Sequence, residues 1–242
     1  MTEEKPYRPL IIAHRGLNRE APENTISAFE KAIGIGADGV ELDILPCQEG
    51  TLVVTHDESI ERFTQIRKNV SSLSLSQLKK LDFGAYFSSH FRGERIPTLE
   101  EVFELLKGKA WINIEIKGTN IFSDGREKTL VDLIRKWKIE DQVVVSSFNI
   151  FSLHRMKKRA PEIKRGYLYY EGQFKFSQGR FKNWIKPYSL HPSIALFSAS
   201  EFCLSLDNYW VWTVNKMSEF ERCYAQKVEA IITDCPKNFI LI

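Results

Sequence analysis

Short apolar runs alternate along this chain with segments in which apolar residues recur at helical spacing. Residues 10–14 form a run of the first kind, which is typical of a buried strand. Ile26, Phe29 and Ile33 follow on what would be one face of a helix. The same order returns further along, where the run at residues 111–117 precedes another helical pattern. The chain is therefore predicted to alternate strands with helices.

Eight strands are predicted in this way, at residues 10–14, 40–44, 111–117, 143–147, 165–169, 188–191, 210–214 and 230–233. A further strand at residues 51–55 is set apart, because only a few residues link it to the strand before it. A parallel crossover needs about a dozen or more residues. The segment is therefore predicted to run antiparallel, as the second strand of a hairpin.

Capping residues mark several of the predicted helices. The first helix has Asn24 or Thr25 as its candidate N-cap, and Asn149 precedes a helix that ends near Pro161. Capping boxes, Thr98 with Glu101 and Ser218 with Glu221, predict two other helix starts. Further helices are predicted at residues 75–81, 130–137, 180–185 and 198–206.

Eight parallel strand–helix units in 242 residues fit an α/β fold, the (β/α)8 TIM barrel. A doubly wound open sheet is the rival, but it gives no reason for polar residues at the C-terminal end of nearly every strand. Barrel enzymes build their active sites at that face. We expect one barrel domain over residues 1–242, with a small insertion at about 58–97 after the hairpin of the second strand.

Composition excludes several function classes. The net charge is only +3, with Lys and Arg spread along the chain, which argues against a nucleic-acid partner. No apolar run approaches the roughly 20 residues of a membrane span, so we expect no stable membrane insertion. The four cysteines form no CxxC pair and the N-terminus is polar, which predicts a cytoplasmic protein with reduced thiols.

Three carboxylates mark a candidate metal site. Glu41 and Asp43 alternate with apolar residues along the second strand, so both project to one face. Glu115 alternates with Asn113 and Lys117 in the same way on the next parallel strand. Such oxygen ligands suit one divalent cation, Mg²⁺ or Ca²⁺. The histidines show no zinc-site spacing that would compete with this prediction.

Cations and imidazoles complete the constellation. Arg15 and Lys117 are candidate phosphate ligands, the first as a planar fork and the second as a point charge. His14 and His56 each end an apolar strand and are the candidate proton-transfer pair, because imidazole titrates near working pH. We expect His90 and His154 to be non-catalytic, whereas His191 is ambiguous.

The order of these motifs along the chain resembles the glycerophosphodiester phosphodiesterase family, within the phospholipase-C-like phosphodiesterase superfamily. Individually the motifs are weak, but together they are highly specific and span nearly the whole chain. They are HRG (14–16), PENT (22–25), ELD (41–43), HD (56–57), NIEIK (113–117), SSF (146–148), LHP (190–192), WTVN (212–215) and ITD (232–234).

The resemblance implies a TIM barrel that hydrolyses small-molecule glycerophosphodiesters to sn-glycerol 3-phosphate and an alcohol. It assigns catalysis to His14 and His56, metal binding to Glu41, Asp43 and Glu115, and phosphate contacts to Arg15 and Lys117. By the same resemblance, Phe148 and Trp212 lie near the glycerol and phosphate pocket. Arg62-Phe63-Thr64 departs from the commoner Arg-Thr-Thr, which leaves the rim and the alcohol-side selectivity open.

Several alternatives stay open at this point. The attacking group could be water, or the neighbouring glycerol hydroxyl by way of a cyclic phosphate. In a lysophospholipase D-type enzyme, the aromatic residues of the insertion could form a surface that binds the acyl chain of the substrate. An inositol-phospholipid phospholipase C and a binding module that kept the barrel are further readings. The alcohol headgroup, the choice between Mg²⁺ and Ca²⁺ and the oligomeric state are not predicted by the sequence.

Overall fold

The structure, a computed structural model, describes residues 7–171, 180–197 and 208–240. Nine strands lie within these ranges: β1 (Leu10–His14), β2 (Gly39–Pro46), β3 (Leu52–Val54), β4 (Trp111–Ile116), β5 (Val143–Ser147), β6 (Lys164–Tyr169), β7 (Ser189–Pro192), β8 (Asn208–Val211) and β9 (Ala230–Thr233). They form one sheet in the order β1-β9-β8-β7-β6-β5-β4-β2-β3.

The sheet closes into a barrel because β1 pairs in parallel with both β2 and β9. Within the described ranges, eight strands are parallel and helices lie between them, which confirms the (β/α)8 TIM barrel and excludes the open sheet. The remaining strand, β3, is antiparallel to β2, with Ile44 opposite Val54, as the short link predicts.

The helices in the described ranges are α1 (Ile26–Gly34), α2 (Glu61–Thr64), α3 (Leu75–Leu78), α4 (Leu99–Leu106), α5 (Arg126–Trp137), α6 (Ile150–Arg159), α7 (Arg180–Ile185), α8 (Ile194–Phe197) and α9 (Met217–Ala225). Short 3-10 turns occur at Val70–Ser72, Ser89–Phe91, Glu140–Gln142 and Pro236–Asn238. The helix predicted at residues 198–206 falls outside the described residues. No helix that is described is both long and apolar enough to cross a membrane.

Most of the predicted caps are confirmed. Thr25 accepts from the backbone N–H of Ala28 at the start of α1, and the capping box of Thr98 and Glu101 is formed at α4. Asn149 likewise caps α6.

The predicted capping box of Ser218 and Glu221 is wrong. α9 begins at Met217, so Ser218 already lies within the helix. The carboxylate of Glu219 accepts from the backbone N–H groups of Asn215 and Lys216. These contacts satisfy backbone amides at the N-terminal end of α9, whose N-cap lies two positions before the predicted one.

The core has an outer and an inner part. Alternate residues of β4, such as Ile112 and Ile114, pack outward against Phe103 of α4 and Leu130 of α5. The barrel interior near the strand starts is filled by a smaller cluster that includes Trp210. The polar residues further along the strands therefore lie above an apolar floor, at the C-terminal face.

Gly166 leaves room inside the barrel for a buried histidine. An ideal Cβ at this position would lie 2.4 Å from Nε2 of His191, and the imidazole ring stacks on Trp210 with 5.3 Å between ring centroids. Nε2 of His191 also lies 2.8 Å from Oγ of Ser189. Any side chain at Gly166 would displace this ring.

The insertion at residues 58–97 has a small apolar cluster of its own. Phe63, Val70, Leu78 and Phe83 are buried there and pack with Val53 of the hairpin. The insertion is thus seated on the β2–β3 hairpin, beside the strand end that carries His56.

Candidate active site

A cavity of about 310 Å³ opens where the strands end at the C-terminal face. It brings together residues from eight of the nine strands or from the segments directly after them, and its lining includes every predicted site residue except Asp43, which is buried. The lining residues are His14, Arg15, Glu41, His56, Asn113, Glu115, Lys117, Phe148, Leu168, Trp212, Thr213 and Ile232.

Glu41, Asp43 and Glu115 form an acidic cluster, as their places on β2 and β4 predict. One carboxylate oxygen from each lies within 4.8 Å of those of the other two. The backbone register explains this convergence, because Asp43 is paired with Glu115 across the two parallel strands. The carboxylates are nearly excluded from solvent.

The electrostatics of the cluster fit a divalent cation. Burial raises the pKa of Glu41 to about 8 and that of Glu115 to about 7, and in both cases the neighbouring charge of Asp43 raises the pKa further. Oδ1 of Asp43 is buried and accepts no hydrogen bond, although Nζ of Lys117 lies 3.4 Å away. Three crowded hard oxygens with an unsatisfied acceptor among them match the donor set of Mg²⁺ or Ca²⁺.

Asp43 is held ionised by the groups around it. Burial by itself would raise its pKa, but the charges of Lys117 and Arg15 and a hydrogen bond from Asn24 lower it below the ordinary value. The amide of Asn24 donates to Oδ2 of Asp43 at 2.9 Å and accepts from its backbone N–H at 3.3 Å. The second motif of the chain, PENT, therefore orients a predicted metal ligand.

The loop after β1 places Arg15 beside the carboxylates. Arg15 and Gly16 both have positive φ angles, 55° and 79°, and a Cβ at Gly16 would lie 2.7 Å from the carbonyl carbon of Ala28. In this conformation the backbone N–H of Arg15 donates to Oε2 of Glu41 at 3.1 Å. Its guanidinium Nη1 donates to Glu23 at 3.0 Å.

Lys117 lies on the opposite side of the cluster, at the end of β4. Its Nζ is 2.8 Å from Oε1 of Glu115. The two cations predicted to bind phosphate therefore flank the three carboxylates, with Arg15 Nε 3.4 Å from Asp43 on one side. An anion in the cavity would meet both cations at once.

Each histidine of the predicted pair is oriented by an aspartate. Nδ1 of His14 lies 2.7 Å from Oδ1 of Asp234, and Nδ1 of His56 lies 2.6 Å from Oδ1 of Asp57. A carboxylate at Nδ1 fixes the N–H there and leaves Nε2 of the ring for a substrate. Nε2 of His14 lies 3.9 Å from Glu41, at the edge of the acidic cluster.

Asp234 is itself fixed by two amides. Asn18 donates to its Oδ1 at 2.6 Å and Asn215 to its Oδ2 at 2.8 Å. Burial would raise the pKa of Asp234, but the hydrogen bond and charge of His14 lower it well below the ordinary value. Burial alone would lower the pKa of His14, whereas Asp234 and Glu41 raise it above the ordinary value.

Two aromatic rings form an apolar wall of the cavity. Phe148 and Trp212 meet edge to face, with 5.5 Å between ring centroids. Trp212 is held in place by a hydrogen bond from its Nε1 to the carbonyl oxygen of His191, at 2.7 Å. His191 is therefore a buried support of this wall, while His90 and His154 are not among the lining residues.

Sequence reasoning missed several residues of the site. Asp234 and Asn113 both lie in motifs named above, ITD and NIEIK, so their positions could have marked them as site residues. Their roles were nevertheless not predicted. Asn113 is fully buried, lines the cavity, and neither atom of its amide has a hydrogen-bond partner. The position of Glu23 depended on the fold of a loop, which no periodic pattern indicates.

Comparisons with known proteins point to one family. A family model described as the glycerophosphoryl diester phosphodiesterase family matches residues 14–238. A protein of Caldanaerobacter subterraneus named glycerophosphodiester phosphodiesterase is 41% identical, over 96% of this chain and 97% of its own length. A second protein of this name, from Bacillus altitudinis, is 33% identical over 96% of this chain and 97% of its own length.

Solved structures give the same result. A phosphodiesterase of Oleispira antarctica, in complex with the product sn-glycerol 3-phosphate, matches with a TM-score of 0.84 and 26% identity, over 96% of this chain and 95% of that one. A glycerophosphodiester phosphodiesterase of Agrobacterium tumefaciens matches with a TM-score of 0.83 and 26% identity, over 97% of this chain and all of that one.

Proposed function

This chain belongs to the glycerophosphoryl diester phosphodiesterase family and is a phosphodiesterase, and we propose that it hydrolyses glycerophosphodiesters to sn-glycerol 3-phosphate and an alcohol. The observation that carries this proposal is the meeting of His14 and His56 in one cavity with the acidic cluster. The cavity has room for a small polar substrate, and its cations suit a phosphodiester anion.

The ligands of the metal in this proposal are Glu41, Asp43 and Glu115, and the metal is Mg²⁺ or Ca²⁺. A divalent cation bound there supplies Lewis acidity and a template for the phosphate oxygens. When all three carboxylates are ionised, as metal binding requires, they outnumber the two cations Arg15 and Lys117, and a divalent cation would offset this excess of negative charge. This balance is the reason that the proposal includes a cation.

The side chains of the chain itself divide the remaining work. The guanidinium of Arg15 and the ammonium of Lys117 hold the nonbridging oxygens of the phosphate from two sides. Phe148 and Trp212 form the apolar wall that excludes water from the glycerol half of the substrate. The amide of Asn113 has no hydrogen-bond partner within the described protein, so it is available to bind a polar group of the substrate.

His14 and His56 are the proton-transfer pair in this mechanism. One imidazole accepts the proton of the attacking oxygen as that oxygen bonds to phosphorus. The other gives a proton to the departing alcohol oxygen as its bond to phosphorus breaks. The attacker is water or, by way of a cyclic phosphate, the neighbouring glycerol hydroxyl, and a cyclic phosphate in rapid-quench samples separates the two.

A lysophospholipase D-type activity is the second candidate. The insertion supports it less than the sequence suggests, because Phe83 is buried and Tyr86 packs against Phe63. The observation that favours it is instead the loop after β4, where Ile121 is 58% and Phe122 is 86% exposed, close to Lys117 in the sequence.

The direct test compares two substrates. We expect purified protein to release sn-glycerol 3-phosphate from glycerophosphocholine faster than it releases choline from lysophosphatidylcholine. The reverse preference would favour the second candidate, and no turnover of either would refute both.

A cytoplasmic location is part of the proposal, supported by the free thiols of the described cysteines Cys47, Cys223 and Cys235, and cell fractionation tests it.

A further inference from the structure

One arginine of the insertion bridges two carboxylates that come from different loops of the barrel. Arg62 lies in α2, at the start of the insertion. Its Nε donates to Oδ2 of Asp57 at 2.7 Å, and its Nη1 and Nη2 donate to the two oxygens of Glu23 at 3.2 and 2.9 Å. Asp57 follows β3, whereas Glu23 lies in the loop between β1 and α1.

Each of these carboxylates also holds a residue that lines the active-site cavity. Asp57 uses its other oxygen, Oδ1, to bind Nδ1 of His56 at 2.6 Å. Glu23 uses Oε1 to bind Nη1 of Arg15 at 3.0 Å. A continuous chain of charged hydrogen bonds therefore runs from His56 through Asp57, Arg62 and Glu23 to Arg15.

The same hydrogen bonds favour the ionised forms of Asp57 and Glu23. Burial would raise the pKa of both Asp57 and Glu23, but the hydrogen bonds and charge of Arg62, with those of His56 and Arg15, lower the pKa of each below its ordinary value. Both carboxylates are thus kept as acceptors, and each can bind Arg62 and a cavity residue at the same time.

The guanidinium is held from its other side by the insertion. It lies over the ring of Phe63, 4.2 Å from the ring centroid, and Phe63 packs edge to face on Tyr86 at 5.1 Å. Phe63 is buried in the apolar cluster that seats the insertion on the hairpin. Only a planar, forked cation can stack on this ring and reach two carboxylates with fixed geometry.

We propose that Arg62 is a positioning residue, through which the insertion sets the orientation of His56 for proton transfer and of Arg15 for phosphate binding. This inference rests on the proposed function of the site. It gives the insertion a role in the reaction, and it gives Glu23 a role that the sequence left open.

Steady-state kinetics with glycerophosphocholine tests the proposal. Arg62→Met keeps a stem of similar length over Phe63 but removes the fork, and kcat/KM should fall about 10- to 100-fold, the range typical of groups that orient a functional side chain. Both constants should change: kcat because His56 is released, and KM because Arg15 is released. Arg62→Lys should recover at most one of the two effects, since an ammonium cannot bridge both carboxylates.

Single and double variants locate the coupling. Asp57→Asn should lower mainly kcat and Glu23→Gln should raise mainly KM. Adding Arg62→Met to Asp57→Asn should lower kcat no further, and adding it to Glu23→Gln should raise KM no further, because residues of one network are not additive. Full multiplication of the effects would show that Arg62 acts independently and would overturn the proposal.

The matched control is Arg67→Met in the same insertion. Arg67 is exposed and pairs with Glu61 at 2.7 Å, away from the cavity, so its removal should leave kcat and KM unchanged. Thermal unfolding of each variant checks the fold, and Arg62→Lys reports on the proposal even if Arg62→Met unfolds. Wild-type kinetics in both Arg62 variants would refute this inference alone, whereas an inactive wild-type protein would refute the proposed function.

Discussion

His14 and Asp234, 220 positions apart in the sequence, meet across β1 and the end of β9 with 2.7 Å between Nδ1 and Oδ1. The pairing of these two strands, which closes the barrel, is what brings them together. Closure of the sheet and orientation of a candidate catalytic imidazole are thus one structural event. The polar ends of the strands become a site only because the barrel closes.

We predict that Asp234→Asn lowers kcat about 10- to 100-fold. The amide of the variant is neutral, so it holds the Nδ1–H of His14 less firmly than the charged carboxylate does. Binding of the phosphate should change little, so KM should stay near the wild-type value. Initial rates with glycerophosphocholine measure both constants. Asp132→Asn is the control, since Asp132 pairs with Lys128 on an exposed helix face. Wild-type kcat in Asp234→Asn would contradict the role given to this carboxylate.

We predict that His14→Ala and His56→Ala each lower kcat by about 10²- to 10⁴-fold, the usual contribution of a general acid or base. Both variants should keep the circular dichroism spectrum of the folded protein. His90→Ala serves as the control, because His90 lies in the insertion and is not among the residues that line the cavity. Near-normal turnover in either active-site variant would refute the proton-transfer pair.

We predict a loss of stability at acidic pH that depends on His191. Burial lowers the pKa of this imidazole from 6.5 to about 3. Between these two values the unfolded chain binds a proton that the folded protein does not, so the free energy of unfolding falls as the pH is lowered. Stability from this source is fully present above pH 6.5 and declines towards pH 3.

The measurement for this prediction is urea unfolding at pH 7 and pH 5, for the wild type and for His191→Gln. The wild type should lose about 2 kcal/mol more than the variant between the two pH values. The comparison between the proteins removes the contributions of other titrating groups. Equal losses would mean that His191 is protonated in the folded state.

The elements that the sequence predicts well are those with a repeating pattern. Alternation along β2 and β4 placed Glu41, Asp43 and Glu115 on one face, and parallel register then made them neighbours. The length of the link after β2 was enough to predict an antiparallel β3. Both predictions depend only on geometry that holds for every chain.

The residues that escaped prediction are those whose contacts depend on loops. Glu23 and Arg62 meet because the β1–α1 loop and the insertion fold towards each other, and no periodicity encodes that approach. The start of α9 was misplaced because Ser218 with Glu221 and Lys216 with Glu219 both offer an acidic residue at the required spacing. Packing of the helix against the barrel chooses between such registers, and this choice is not local.

Removal and return of the divalent cation tests the central claim most directly. Protein treated with excess EDTA and desalted should release no sn-glycerol 3-phosphate from glycerophosphocholine, and Mg²⁺ or Ca²⁺ should restore the rate. Glu115→Gln removes one negative charge from the cluster, so this variant should require a higher concentration of the ion to reach its half-maximal rate. A full rate in the presence of excess EDTA would contradict the claim that the three carboxylates act by holding a metal.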